Sequence, residues 1–211
     1  MITGGNMSAF LGPIHFWLYN KIQIQNEIVE DIINLSEEKY SKINLKKEAD
    51  QRYGVSETRA LEEVIDETNI HGWLQSLVSQ VEYKLAYLVT ILLEENKDIL
   101  NDIEEIFFVK GREQSSKVGE NSAAAYYKGM SDSLLDGMPC DQANSIVEED
   151  NEYVKWVRNT CVHKKYWDEV GGSIEKYYIL RDAFIRGFLS ETQYEYTKID
   201  EITSTISVRK Q

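Results

Sequence analysis

Between Ile70 and Leu93 the apolar residues recur at spacings of three and four: Ile70, Trp73, Leu74, Leu77, Val78, Val81, Leu85, Leu88, Val89, Leu92 and Leu93. That is the period of an α-helix with a wide apolar face. A helix of this length cannot leave such a face in water, so the rest of the chain has to cover it. Asn96 and Lys97 interrupt the pattern and mark its end.

The remaining segments divide into helical and alternating patterns. Pro13 suits the first turn of a helix. It is followed by Ile14, Trp17, Leu18, Ile22, Ile28, Val29, Ile32 and Ile33 at helical spacing. Residues 36–55 are polar and contain Gly54, which predicts a short helix and a loop, and Ser56 is placed to cap a further helix running towards Asn69. Ile99, Ile103, Ile106, Phe107 and Val109 predict a helix up to Gly111. Residues 121–135 predict another, stopped by Asp136, Gly137 and Pro139. The character then changes. Tyr153, Val154, Trp156, Val157, Cys161 and Val162 are aromatic or β-branched enough to predict a strand over Glu152–His163. A helix over 174–189 follows, with Tyr177, Tyr178, Leu180, Arg181, Phe184 and Phe188. The tail alternates through Tyr194, Tyr196 and Ile199, then Ile202, Thr205, Ile206 and Val208, as a β-hairpin turning near Asp200 and Glu201 would.

The expected fold class is α+β: a helical N-terminal half packed with a small C-terminal antiparallel sheet, built as strand, helix and hairpin. Residues 7–70 read as an N-terminal helical layer and 71–211 as the α+β domain, the two forming one compact unit. Met1–Asn6 is unlike the rest and reads as a short leader before Met7.

Charge and cysteine content narrow the partners. A net charge of -13 repels phosphate backbones, and no Lys/Arg cluster is denser than Lys46-Lys47 or Lys164-Lys165, so nucleic acid is not an expected partner. Two cysteines are too few for a disulfide framework. No basic segment leads into an apolar run at the N-terminus, and the uninterrupted apolar stretches fall far short of the ~20 residues of a membrane span. The expectations are no membrane and a cytoplasmic location. Phe10, Leu11, Phe16 and Trp17 form an apolar cluster that could cover a partner chain, so a homodimer is a possible assembly that the sequence leaves open.

Three groups of residues can carry chemistry. Cys161 and His163 are two apart, and on a strand that puts thiol and imidazole on one face. A neighbouring imidazole favours the thiolate, the nucleophilic form, and Asp182 or Asp168 would orient the ring. The bland alternative is a small apolar thiol beside a histidine at a strand end. Cys140 follows Pro139 at a helix start, where Asp141 alone would suffice as a cap. The second group is metal-binding. Glu67 and His71 are four apart, on one face of a helix, and with His15 and His163 they would make an imidazole–carboxylate site for a divalent metal. No His-x-x-x-His or Cys-x-x-Cys pair accompanies them, and a histidine on an apolar stripe is ordinarily a hydrogen-bonded core residue. Third, the aromatic doublets Tyr126-Tyr127 and Tyr177-Tyr178 can each pack one ring and turn the other to a pocket. No phosphate-cradling glycine loop and no serine nucleophile elbow is present, so no organic cofactor is expected. The segments at 14–18 and 70–74 share Ile-His-x-Trp-Leu, but their flanks do not align as a duplication would.

The chain from about residue 75 onward has a further set of features. These are the long helix Leu77–Glu94, a helix ending Lys110-Gly111-Arg112-Glu113-Gln114, and a strand reaching Cys161. Tyr166-Trp167, a Gly171 turn, a helix carrying Asp182 and ending Gly187-Phe188-Leu189, and a hairpin with Thr205-Ile206 complete it. This pattern resembles the L-2-amino-thiazoline-4-carboxylic acid hydrolase family. The resemblance implies a small α+β domain with a pocket for a small polar molecule, and hydrolytic opening of a cyclic amidine at its C–N bond. In that chemistry Cys161 would be the nucleophile, His163 the base and Asp182 the orienting group. Two other classes remain open: a non-catalytic small-molecule-binding or sensing module, and a helical metal-binding protein using His15, Glu67 and His71.

Overall fold

A computed structural model describes residues 11–39 and 44–210. The proposed Met1–Asn6 leader and Phe10 of the apolar cluster lie outside the described residues. Helix α1 (Pro13–Lys39) is followed by α2 (Leu45–Tyr53), the short α3 (Leu61–Val64), α4 (Ile70–Glu95), α5 (Ile99–Ser115) and α6 (Ala123–Ser133). A 3-10 turn at Pro139–Asp141 leads into strands β1 (Asn144–Glu149) and β2 (Tyr153–Arg158). Then come α7 (Lys164–Glu169), α8 (Ile174–Leu189), β3 (Tyr194–Lys198) and β4 (Thr203–Val208). The four strands form one antiparallel sheet in the order β1-β2-β4-β3, and the fold is α+β as expected.

Helix α4 is the axis of the helical layer. The Asn69 side chain accepts from Gly72 N and starts it. Its stripe of Leu74, Val78, Val81, Leu85, Leu88, Val89 and Leu92 is buried, with α1 packed along it through Leu18, Ile22, Val29 and Ile32. By length and composition alone α4 could cross a membrane, but most of its apolar window is buried inside this fold. Lys84, on the same helix, is also buried. Its ammonium bonds Asp50 Oδ1 (2.6 Å) and Ser56 Oγ (3.0 Å), which ties α2 and the following loop to α4.

The sheet lies against α6 and α8. Tyr127 of α6 packs on Trp156 of β2, and Val154, Trp156, Tyr194 and Ile206 point into the core. Helices α5 and α8 approach more closely than side chains normally allow. A Cβ on Gly111 would strike the Phe184 carbonyl, and one on Gly187 would strike the Phe108 carbonyl. Each helix thus presents a glycine to the backbone of the other.

Four local expectations are corrected. Ser56 caps no long helix: only the single turn α3 forms between it and Asn69, and its hydroxyl accepts from Lys84 instead. The strand predicted over Glu152–His163 stops at Arg158, and Asn159–His163 is a loop into α7. That loop breaks the shared strand face on which Cys161 and His163 were paired. Strand β1 was not foreseen; it is an edge strand with Ile146 and Val147 exposed, so it carries no buried alternation to read. Glu67 precedes α4 in a turn and is exposed, so it does not share a helical face with His71.

Candidate functional site

The cleft that contains Cys161 is built by four segments. Helix α4 supplies Gln75, Val78 and Glu82 as its floor; the loop after α6 supplies Gly137 and Asp141 as one wall. Thr160, Cys161 and Val162 of the β2–α7 loop form the opposite wall, and Lys165 and Tyr166 of α7 close the end. The space is about 280 Å³, small beside typical ligand sites. Gly137 is in the left-handed region (φ 74°), and a side chain there would run into Asp141 and Val162, so glycine keeps the wall open to the chain opposite.

Behind the floor lies a buried polar cluster. His163 sits at the start of α7 and is 3% exposed; Glu82 is 1% exposed. His163 Nδ1 lies 3.0 Å from Glu82 Oε2 and His163 Nε2 lies 3.4 Å from Asp136 Oδ1. Glu82 Oε1 accepts from Gln25 of α1 (3.2 Å). Arg181 of α8 grips both oxygens of Asp136 (2.6 and 2.9 Å), and the Asn144 amide adds a third donor (2.9 Å). The Tyr177 ring covers the imidazole at 3.9 Å between centroids.

Burial alone would lower the His163 ring, but the Glu82 carboxylate and the bond to Asp136 outweigh it and raise the ring to about 9. Burial would raise Asp136, yet Arg181 and His163 hold it well below the usual carboxylate range. The same cluster includes Lys21 of α1, buried over the Trp17 ring (3.9 Å). Burial lowers Lys21 to about 8, against the pull of Asp136 and with the push of Arg181.

These contacts decide how the expected site residues relate. Cys161 lines the cleft half-buried, but its sulfur accepts from the Tyr178 hydroxyl (3.0 Å). Both His163 nitrogens are engaged by carboxylates and the ring is protonated at neutral pH, so it is not set up as a base for the thiol. Asp182 does not orient the imidazole either. It accepts from Tyr196 (2.8 Å) and pairs with Lys198 (3.0 Å) in a separate cleft beside Arg158 and Tyr178. Asp168 pairs with Lys164 on the exposed face of α7.

The three metal candidates are partly gathered. His15 and His71, the two ends of the Ile-His-x-Trp-Leu echo, meet edge-on at 5.6 Å because the first turns of α1 and α4 lie side by side. His15 Nδ1 accepts from Gly12 N (3.0 Å). Glu67 does not complete a site, and among the described residues no group of three or more His, Cys, Asp and Glu side chains is arranged to hold a metal ion. Cys140 is exposed on the 3-10 turn, where the neighbouring Asp141 accepts from Met138 N (2.8 Å) as a cap does.

Glu82, Asp136, Arg181, Lys21 and Gln25 were not singled out from sequence. A signal existed for three of them: Lys21, Glu82 and Arg181 are charges set within apolar stripes, beside Leu18 and Ile22, Val78 and Leu85, and Leu180 and Phe184. No family model, no curated protein and no solved structure matches the chain.

Proposed function

We propose that the protein binds a small polar molecule in the Cys161 cleft without using the cysteine to turn it over. The observation that carries this reading is the convergence of polar groups on one small cavity, together with an imidazole already committed to two carboxylates. Asp141 offers a carboxylate on one wall, Lys165 an ammonium at the end of the cleft, and Gln75, Thr160 and Tyr166 neutral donors and acceptors between them, while Glu82 stays committed to His163 and Gln25 beneath the floor. A ligand that presents a cationic N–H edge and a carboxylate would satisfy both sides, as the cyclic amidino acids implied by the family resemblance do. A few convergent polar groups in a concave cleft are a usual feature of such sites.

Protection of Cys161 tests it. Iodoacetamide labelling is followed by peptide mass spectrometry, with exposed Cys140 as the internal control and a panel of cyclic amidines, amino acids, carboxylates and amines as probes. A dipolar probe is expected to slow labelling of Cys161 and leave Cys140 unaffected, with no new product in the mixture. If no probe protects Cys161 at millimolar concentration, the binding reading fails.

A second reading, cysteine-dependent hydrolysis of a cyclic amidine or amide, is favoured by the Tyr178 hydroxyl donating to Cys161 Sγ inside the cleft wall. Ring-opened product from the native protein, absent with Cys161→Ser, would replace the binding reading with this one.

A further inference from the structure

The two walls of the cleft belong to segments far apart in sequence, 137–141 and 160–162, and neither is part of a long helix or a sheet. Each is nevertheless covalently next to a member of the buried cluster. Asp136 precedes Gly137, and His163 follows Val162. Asp136 and His163 meet behind the cleft, His163 continues to Glu82 on the floor, and Asp136 is anchored to α8 through Arg181 and to β1 through Asn144. Every wall therefore runs back to a single carboxylate.

Resting on the reading of this cleft as the binding site, we propose that Asp136 is its positioning residue: the Arg181–Asp136–His163–Glu82 chain clasps the two walls across the floor and sets the width of the opening. The reason is directional. Arg181 bonds both Asp136 oxygens from a helix locked against α5, so the carboxylate has little freedom to rotate. His163 is held from both ends and covered by Tyr177, so the loop that carries Cys161 cannot move outward without breaking a buried charged contact. Loss of the Asp136 charge would leave Arg181 and His163 facing a weaker acceptor and free both walls together.

The test needs no ligand, so it stands apart from the binding experiment. Rates of Cys161 alkylation are measured with a small reagent, iodoacetamide, and a bulky one, pyrenyl maleimide. In Asp136→Asn the bulky reagent is expected to gain about tenfold on the small one at Cys161, with neither rate changed at Cys140. The gain should be insensitive to low denaturant, as a local opening is, and smaller in Arg181→Lys, which keeps the charge. An unchanged reagent ratio in a folded Asp136→Asn protein overturns the proposal, and so does a gain that rises with denaturant as global unfolding would. Should that variant not fold, native-state hydrogen exchange of the unmodified protein decides. Residues 137–141 and 159–163 should share one opening free energy, and protection differing by more than about tenfold between them refutes a common clasp.

Discussion

Glu82, Asp136, His163, Arg181 and Lys21 bring two carboxylates and three cationic groups together in the interior, and the odd cation is the least comfortable member. Lys21 and His163 leave opposite signatures in stability against pH. His163 rises from 6.5 to about 9 in the folded chain, so its stabilisation is complete below pH 6.5 and is lost as pH climbs through 9. Lys21 falls from 10.5 to about 8, so the folded chain surrenders that proton first; its penalty is complete below pH 8 and is relieved as pH rises towards 10.5. Stability should decline above pH 6.5, pass through a minimum between 8 and 9, and recover towards 10. Denaturant midpoints across that range read the profile. Lys21→Met should abolish the recovery and raise stability at neutral pH by about 1–2 kcal/mol. A recovery that persists in that variant would assign it to another group. Labelling offers a simpler check on the thiols: Cys140 is exposed, whereas Cys161 is half-buried, so Cys140 should alkylate first in the native state.

Among the elements, the α5–α8 crossing is the most demanding. Gly111 and Gly187 face the opposing backbone, where even a methyl group has no room. Alanine would gain about 1 kcal/mol of helix propensity at either position, but the clash is with a main-chain carbonyl and not with a side chain able to rotate away. Gly111→Ala and Gly187→Ala should each cost about 3 kcal/mol, seen as a lowered urea midpoint with an unchanged slope. Because α8 carries Arg181, the displaced helix should also loosen the cleft, and Cys161 labelling in these variants should rise with the loss of stability. At the edge of the sheet, β1 exposes Ile146 and Val147 beside Glu148 and Glu149, and a register shift lies between Ile146 and Glu148. Charge and bulge are the usual guards of an unpaired edge.

Taken whole, the molecule has one continuous hydrophobic core that runs from α1 and α4 through α5 and α8 to the sheet. Helix α1 is tied into it by polar contacts as well as apolar ones: Trp17 donates to Asp132 of α6 (2.9 Å) and Gln25 to Glu82 (3.2 Å). Unfolding followed by tryptophan fluorescence and by far-ultraviolet circular dichroism should therefore give a single coincident transition. Separate midpoints for the two probes would mean that the helical layer and the sheet domain unfold apart. Gln25→Leu should lower the unfolding free energy by about 1–2 kcal/mol, read as an earlier transition, since it strands one oxygen of a buried carboxylate.

Much of this architecture follows from local pattern. The stripe on α4, the ends of α4 and α8, the stop after α6 and the terminal hairpin are all readable because a period of 3.6 or 2 and its punctuation are properties of neighbouring residues. Cys161 and His163 were legible as reactive residue types for the same reason. What they do to each other was not, since it depended on a strand ending at Arg158 and not at His163, and on partners 27 and 81 residues away at Asp136 and Glu82. His15 and His71 show the converse: an echo with no meaning along the chain becomes a contact once two helix starts lie abreast. The sequence by itself determined the long helices, the terminal hairpin and which of their faces are apolar, but not the exposed edge strand β1 or the end of β2. Only the tertiary structure decided which buried charges meet, because the energy of a buried ion depends on distance to partners that no local pattern encodes.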